Sequence, residues 1–200
     1  KNRSDNPTDH TIGYGAGVRI NAASELLFDS CDIWGNYMYA NTWHNRSFGG
    51  GICSFNSSGT ISNCQFRSNT AYATVGNTDY SYGRGGALYH EGTGGWTIEK
   101  TVFDSNNGTS GSTINSVGGA LFFNNGANIL RNCLLVKNNA SQGGDAIYVT
   151  AGSLWVDHCT IADNSGEGIR VGTTTITVSN SLIWANGDDL YNFDSNKLFY

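Results

Sequence analysis

Apolar residues in this chain occur in short alternating runs, and the same series of runs recurs six times. Each copy opens on a glycine-rich step, and 12 or 13 residues after its first aliphatic residue comes a marker position, with Asn five positions further on. The markers are Cys31, Cys64, Thr101, Cys133, Cys159 and Ser181, and the asparagines are Asn36, Asn69, Asn106, Asn138, Asn164 and Asn186. Side chains alternate with period two in strands, so each copy is predicted to hold three short strands divided by tight turns.

A repeat of this length predicts a solenoid, because one copy cannot bury its own apolar face and must stack on the next. The sequence therefore predicts an all-β fold: a single-stranded parallel β-helix of about six coils with three short strands per coil. Like residues would then stack about 4.8 Å apart. We expect one domain excised from a longer protein, with coils over 13–187, an N-terminal extension over 1–12 and a C-terminal extension over 188–200.

The copies differ in length at one corner, between the asparagine and the next glycine-rich step. The inserted segments are 37–48, 70–84, 107–117, 139–142 and residue 165. As loops they would line one side of the solenoid, where binding sites are common. The first two hold aromatic side chains that we predict to contact a ligand, namely Tyr37, Tyr39, Trp43, Tyr80 and Tyr82, and they also hold Tyr72.

A second aromatic feature is predicted beside these loops. The outward-facing position in the first strand of each copy reads Arg19, Cys53, Tyr89, Phe122, Tyr148 and Arg170. Stacked aromatic rings suit the faces of sugars, while nearby polar groups bond the hydroxyls. Tyr89, Phe122 and Tyr148 are therefore predicted to bind a ligand, unless the loops fold back over this strip and bury it.

Charge and composition exclude some functions. The chain has a net charge of −5 and only 14% charged residues, so it lacks the basic stripe that a nucleic-acid partner demands. No apolar run approaches the ~20 residues of a membrane span. Four of the five cysteines are markers, where buried thiols are favoured over disulfides because stacked side chains point the same way.

The repeats resemble those of known families. Gly-Gly-Ala-Leu at 85–88 and 118–121, with Phe-x-x-Asn at 66–69 and 103–106, is similar to the paired motifs of chlamydial polymorphic outer-membrane proteins. Over about 13–187 the pattern equally resembles bacterial right-handed parallel β-helix proteins of the pectate-lyase-like superfold. The resemblance implies a right-handed coil and a secreted or cell-surface location. Such proteins include adhesins, passenger domains, polysaccharide lyases and glycosidases.

Candidate chemistry is confined to one small group. Asp145 and Glu167 are predicted to share a column on successive coils, and Arg170 stands three residues after Glu167. Carboxylates about 5 Å apart work as a pair in retaining glycosidases, so these three are the candidate catalytic residues. The two acids could equally hold a calcium ion, or be solvated acids at a corner. No other cofactor is expected, and His90 is interpreted as a semi-buried residue rather than a base.

Three functions stay open on this basis. The first is a non-catalytic extracellular or cell-surface module for adhesion, surface structure or glycan binding, with a polysaccharide, a surface glycan or other protein subunits as partners. The second is a polysaccharide lyase or glycoside hydrolase that uses Asp145, Glu167 and Arg170. The third is a structural spacer or filament subunit whose uncapped ends stack end to end on neighbours.

Overall fold

The computed structural model describes residues 10–40, 44–74, 81–111 and 116–191, and within these ranges the chain forms strands and turns without a helix. The first coil contains β1 (His10–Tyr14), β2 (Val18–Asn21), β3 (Leu26–Asp29), β4 (Asp32–Trp34) and β5 (Tyr37–Ala40). The second contains β6 (His44–Phe48), β7 (Ile52–Phe55), β8 (Gly59–Ser62), β9 (Gln65–Arg67) and β10 (Thr70–Ala73). The third contains β11 (Tyr82–Arg84), β12 (Leu88–Glu91), β13 (Trp96–Glu99), β14 (Val102–Asp104) and β15 (Asn107–Ser110).

The later coils contain fewer strands. The fourth coil contains β16 (Leu121–Arg131), β17 (Leu134–Val136) and β18 (Asn139–Ala140). The fifth contains β19 (Ile147–Asp157) and β20 (Thr160–Ala162), and the sixth contains β21 (Glu167–Val171), β22 (Thr175–Ser179) and β23 (Leu182–Trp184). A final strand, β24 (Asp188–Tyr191), pairs with β21 and begins a seventh turn.

Three strand positions recur in every coil and form a common frame. They are the strand after the glycine step, the next strand, and the strand that follows the marker; β16 and β19 each span the first two positions. All pairing between these strands is parallel, and the six apolar residues after the markers align in one column: Ile33, Phe66, Phe103, Leu135, Ile161 and Ile183. The predicted parallel β-helix of about six coils is confirmed.

The asparagine column forms a hydrogen-bonded ladder along the frame. The backbone N–H and the side-chain Nδ2 of Asn69 both donate to Oδ1 of Asn106, and the same two bonds join Asn106 to Asn138. From Asn69 onward, each Nδ2 also donates to a carbonyl of the preceding coil, as from Asn106 to Phe66. Every polar atom of these buried amides is therefore satisfied, which explains why no other residue type appears in this column.

The marker column explains why Cys, Thr and Ser interchange. The markers Cys64, Thr101, Cys159 and Ser181 accept a backbone N–H from the preceding coil, as Cys64 Sγ does from Cys31 and Thr101 Oγ1 does from Cys64. Each also donates to the carbonyl two residues before it, as Thr101 does to Glu99. A small side chain with one donor and one acceptor meets both needs. All five cysteines are free thiols.

The inserted segments of the first coils are strands, so the prediction of loops is wrong there. They form two further parallel sheets, an outer fin sheet (β5, β10, β15, β18) and an inner fin sheet (β1, β6, β11), together called the fin. Alternation explains the strands: in Tyr37–Ala40 and Thr70–Ala73 the second and fourth residues are buried and the first and third are partly exposed. The fin widens the first three coils, narrows to β18 in the fourth coil and ends there.

The fin sheets pack back to back through small residues. A side chain at Gly83 would collide with the backbone carbonyls of Ala71 and Thr109, and Ser47 Oγ donates to the carbonyl of Tyr72 at 2.7 Å. The close approach explains the Ala, Gly and Ser residues on the facing sides of these strands.

Both predicted extensions contain strands that join the stack. His10–Tyr14 (β1) overlaps the expected N-terminal extension and pairs with β6, while β24 lies in the expected C-terminal extension. Among the described residues, no helix has the length and apolar character needed to span a membrane.

Candidate functional site

The outer fin sheet presents a flat face of tyrosine, threonine and asparagine side chains, which we call the fin face. Its members occupy the alternate positions that point away from the inner fin sheet: Tyr37, Tyr39, Thr70, Tyr72, Asn107, Thr109 and Asn139. Parallel pairing places Tyr39 beside Tyr72, and Tyr37 beside Thr70. Since neighbouring strands lie about 4.8 Å apart, the face extends about 15 Å from β5 to β18.

Three of these side chains form a tyrosine ladder, comprising Tyr37, Tyr39 and Tyr72. The rings of Tyr39 and Tyr72 are stacked with nearly parallel planes, with centroids 5.8 Å apart and an interplanar angle of 8°. Tyr37 lies 6.0 Å from Tyr39 and 6.3 Å from Tyr72, at angles of 22° and 23°. All three tyrosines are partly exposed, and the rigid parallel strands beneath fix their positions.

The rest of the fin face is polar and continues from the tyrosine ladder. Asn139 Nδ2 donates to Asn107 Oδ1 at 3.4 Å, and Asn107 Nδ2 donates to the carbonyl of Ser105. Amide and hydroxyl groups of this kind both donate and accept hydrogen bonds. The face therefore combines aromatic rings at one end with hydrogen-bonding groups at the other.

The predicted aromatic strip is largely buried, which is the alternative stated from the sequence, so the prediction of Tyr89 and Phe122 as ligand contacts is corrected. Tyr89 is 2% exposed and Phe122 is fully buried, in a second apolar cluster with Val117 and with Phe48 of the fin. The inner fin sheet folds over the strip, and Phe48 lies 4.5 Å from Tyr89 between ring centroids. Burial also raises the pKa of the Tyr89 hydroxyl.

The remaining predicted aromatic residues lie in separate places. Tyr82 belongs to the inner fin sheet and is stacked by Arg46 and Arg84, at 5.4 and 4.1 Å. Tyr148 is half-buried and lies in the fifth coil, after Tyr89 and Phe122 along the strip. Trp43 and Tyr80 lie outside the described residues.

Asp145 caps the end of the outer fin sheet. The fifth coil lacks a strand to pair with β18, because only Ser165 stands between the asparagine and the next glycine step. The Asp145 carboxylate takes this place, accepting the N–H of Ala140 at 2.9 Å and the N–H of Glu167 at 2.9 Å. Burial raises the pKa of Asp145, and these N–H donors oppose the rise.

Glu167 and Arg170 bind the turn that precedes Asp145. Glu167 Oε2 accepts the N–H of Gly144 at 2.8 Å, Arg170 donates to the carbonyl of Gln142, and the two side chains form an ion pair at 3.6 Å. Burial raises the pKa of Glu167, while the Gly144 N–H and Arg170 lower it. The structure thus brings all three predicted catalytic residues together, and it shows both acids bonded to backbone N–H groups.

A cleft of about 400 Å³ opens where the outer fin sheet ends. The polar side chains that line it include those of Asn139, Ser141, Asp145, Ser165 and Glu167. Asn139 also belongs to the fin face, so the cleft continues that face past β18. In the described part of the chain, no group of three or more His, Cys, Asp or Glu side chains is arranged to hold a metal ion.

Comparison with known proteins identifies the family. Residues 86–198 match the family model of the right-handed β-helix region, which is more than half of the chain. The chain belongs to the right-handed β-helix family. No curated protein and no solved structure matches it. Membership of the right-handed β-helix family establishes the hand of the coil, which the sequence resemblance had implied.

Two residues with clear roles in this right-handed β-helix were not predicted as site residues. Tyr72, noted only as an aromatic residue of the second inserted segment, completes the tyrosine ladder; it lies three residues after Asn69, just as the predicted Tyr39 lies three residues after Asn36. Asp189, expected in a terminal extension, accepts the N–H and Nδ2 of Asn186 and so caps the asparagine ladder.

Proposed function

We propose that this chain is a non-catalytic extracellular β-helix module that binds polysaccharide through the fin face. The observation that carries the proposal is the tyrosine ladder, with rings that lie within 23° of one another on a rigid sheet. Sugar rings pack against aromatic side chains while their hydroxyls bond the polar tips, and a regularly spaced array suits a polymer better than a small ligand. Little ordering of the protein is required on binding, because the parallel strands hold the face.

The polar half of the fin face supports the same proposal. Asn107, Thr109 and Asn139 follow the tyrosines across successive strands, so hydrogen-bonding groups recur at the strand spacing. Sugar hydroxyls need both donors and acceptors, which these side chains provide. A polysaccharide that crosses the strands would contact aromatic rings first and amide groups next.

The arrangement of Asp145 and Glu167 favours a non-catalytic role. Both Asp145 oxygens and one Glu167 oxygen accept backbone N–H groups. A general acid or base needs an oxygen within reach of the substrate proton, and these oxygens hold the end of the fin instead. Calcium at Asp145 and Glu167 stays a prediction.

The cellular setting is part of the proposal. The resemblance to chlamydial polymorphic outer-membrane proteins and other surface β-helix proteins supports a secreted or cell-surface location, where glycan binding serves adhesion or surface structure. The spacer hypothesis has less support at the C-terminal end, because Asp189 occupies the acceptor position that the next coil would provide.

The proposal is tested by isothermal titration calorimetry against a panel of soluble polysaccharides, with Tyr39→Ala, Tyr72→Ala and the control Trp184→Ala. Trp184 is an exposed aromatic residue on the frame, away from the fin. Each tyrosine variant should lose about 1 to 2 kcal/mol of binding free energy, and the control should bind as the unaltered chain does. Absence of binding by every polymer would refute the proposal.

Enzymatic function is tested on the same panel by assays for reducing ends and unsaturated products. We expect no turnover. Turnover that Glu167→Gln abolishes, while folding is retained, would establish the lyase or hydrolase hypothesis instead.

A further inference from the structure

We infer that the fin face selects an uncharged polysaccharide and rejects polymers of uronic acids. This inference rests on the proposed function and specifies its ligand class. It depends on which charged side chains lie near the tyrosine ladder and which are absent from the fin face.

The segments that build the fin face contain no lysine or arginine. Neither Lys nor Arg occurs in 35–45, 68–81, 105–117 or 138–145, which include the outer fin strands and the residues that follow them in the sequence. Arg46 and Arg84 belong to the inner fin sheet, where both stack on Tyr82. A carboxylate on a bound polymer would therefore meet aromatic, amide and hydroxyl groups.

The charges at the cleft are acidic or already paired. Asp145 and Glu167 line it, and the nearby cation, Arg170, bonds to Glu167 and to the carbonyl of Gln142. Lys137 is exposed at the corner before β18, where it has a positive φ of 55° and aligns with Asp163 of the next coil. The corner position places Lys137 beside the fin face instead of on it.

Desolvation makes this arrangement selective. A ligand carboxylate that leaves water without gaining a cation loses free energy, whereas a hydroxyl exchanges one set of hydrogen bonds for another. Repulsion by the acids of the cleft adds to the difference. Such a face discriminates by penalising the wrong ligand as well as by binding the right one.

The decisive experiment compares polymers that share a backbone and differ in charge. The pairs are polygalacturonate with its full methyl ester, and carboxymethylcellulose with hydroxyethylcellulose, measured by calorimetry at low and high salt. Within any pair that binds, the neutral member should bind roughly tenfold tighter, with little dependence on salt. Equal or tighter binding of the acidic member would overturn the inference and leave the proposed function intact, whereas failure of all four polymers and the wider panel would refute the proposed function.

Adding a positive charge to the fin face tests whether the polymer binds there. Thr70→Lys places a cation between Tyr37 and Asn107, and it should strengthen binding of the acidic polymers. The matched control is Thr97→Lys, a similarly exposed strand position on the frame, paired with Thr60 and Ile129. Equal effects of the two substitutions would contradict a ligand on the fin face.

Discussion

The wide coils at the N-terminal end and the narrow coils at the C-terminal end share one frame and differ in what is attached to it. In both regions the asparagine ladder, the marker column and the apolar columns continue from coil to coil. The wide coils add the fin, which covers the aromatic strip and carries the tyrosine ladder. Stability therefore resides in the repeated frame, while the candidate binding surface is an attachment that ends at Asp145.

The largest expected effect is on the frame, and it should be equal in the two regions. Asn106→Ala in a wide coil and Asn164→Ala in a narrow coil each remove an acceptor of two donors and a donor to a buried carbonyl. Each should lower the free energy of unfolding by about 3 kcal/mol or more, since several buried groups lose partners. Urea denaturation measures the free energy of unfolding of each variant.

The control for this pair is Asn36→Ala at the open end of the ladder. Asn36 donates to Asn69 but its oxygen accepts from no earlier coil among the described residues. Asn36→Ala should therefore lower the free energy of unfolding by less than Asn106→Ala does. A large difference between Asn106→Ala and Asn164→Ala would contradict the idea of one common frame.

The next effect is expected at the boundary between the regions. Asp145→Ala leaves the N–H groups of Ala140 and Glu167 without acceptors, at a cost of about 2 kcal/mol. Hydrogen exchange should show lost protection at Ala140. The exposed Ser153→Ala in β19 should stay within about 0.5 kcal/mol of the unaltered chain, and an equal effect of both would refute the capping role.

A pH effect should separate the regions, because only the wide coils bury a histidine in the core. Trp96 Nε1 donates to Ser54 Oγ at 3.1 Å, Ser54 Oγ lies 3.2 Å from His90 Nδ1, and His90 Nε2 lies 3.2 Å from the carbonyl of Gly94. In the narrow coils the equivalent position is Val149 or Val171. Burial lowers the pKa of His90.

The sign of the pH effect follows from that shift. Unfolded His90 takes up a proton below its usual pKa of about 6.5, while the folded chain keeps the ring neutral, so stability should fall as the pH drops below that value. The slope cannot exceed about 1.4 kcal/mol per pH unit for one group. His90→Phe, which copies Phe123 of the next coil, should remove this slope in urea melts at pH 5 to 7. An unchanged slope would contradict a neutral core histidine.

The smallest effect is expected at the C-terminal cap. Asp189→Ala removes the acceptor for the N–H and Nδ2 of Asn186, at a cost of roughly 1 kcal/mol or less. Asp188→Ala, one residue earlier and also exposed, is the matched control. Analytical ultracentrifugation of Asp189→Ala also tests end-to-end assembly, which an uncovered ladder would promote.

The frame was predictable because each of its columns repeats six times with a fixed side-chain requirement. The fin was not, because its strands differ in length and Asn107–Ser110 carries no apolar residue to reveal a strand. The role of Asp145 depends on a strand that the fifth coil lacks, so Asp145 and Glu167 could be placed together from the sequence but not assigned to a capping role. Burial of Tyr89 and Phe122 likewise depends on how the inner fin sheet folds back.

A crystal structure of the chain with a bound neutral oligosaccharide tests the central claim most directly. The account predicts a sugar ring stacked on Tyr39 or Tyr72, with the polymer crossing the strands toward Asn107 and Asn139. A ligand bound on the frame, or at Tyr148 and Tyr191 on the narrow coils, with the fin face unoccupied, would contradict it.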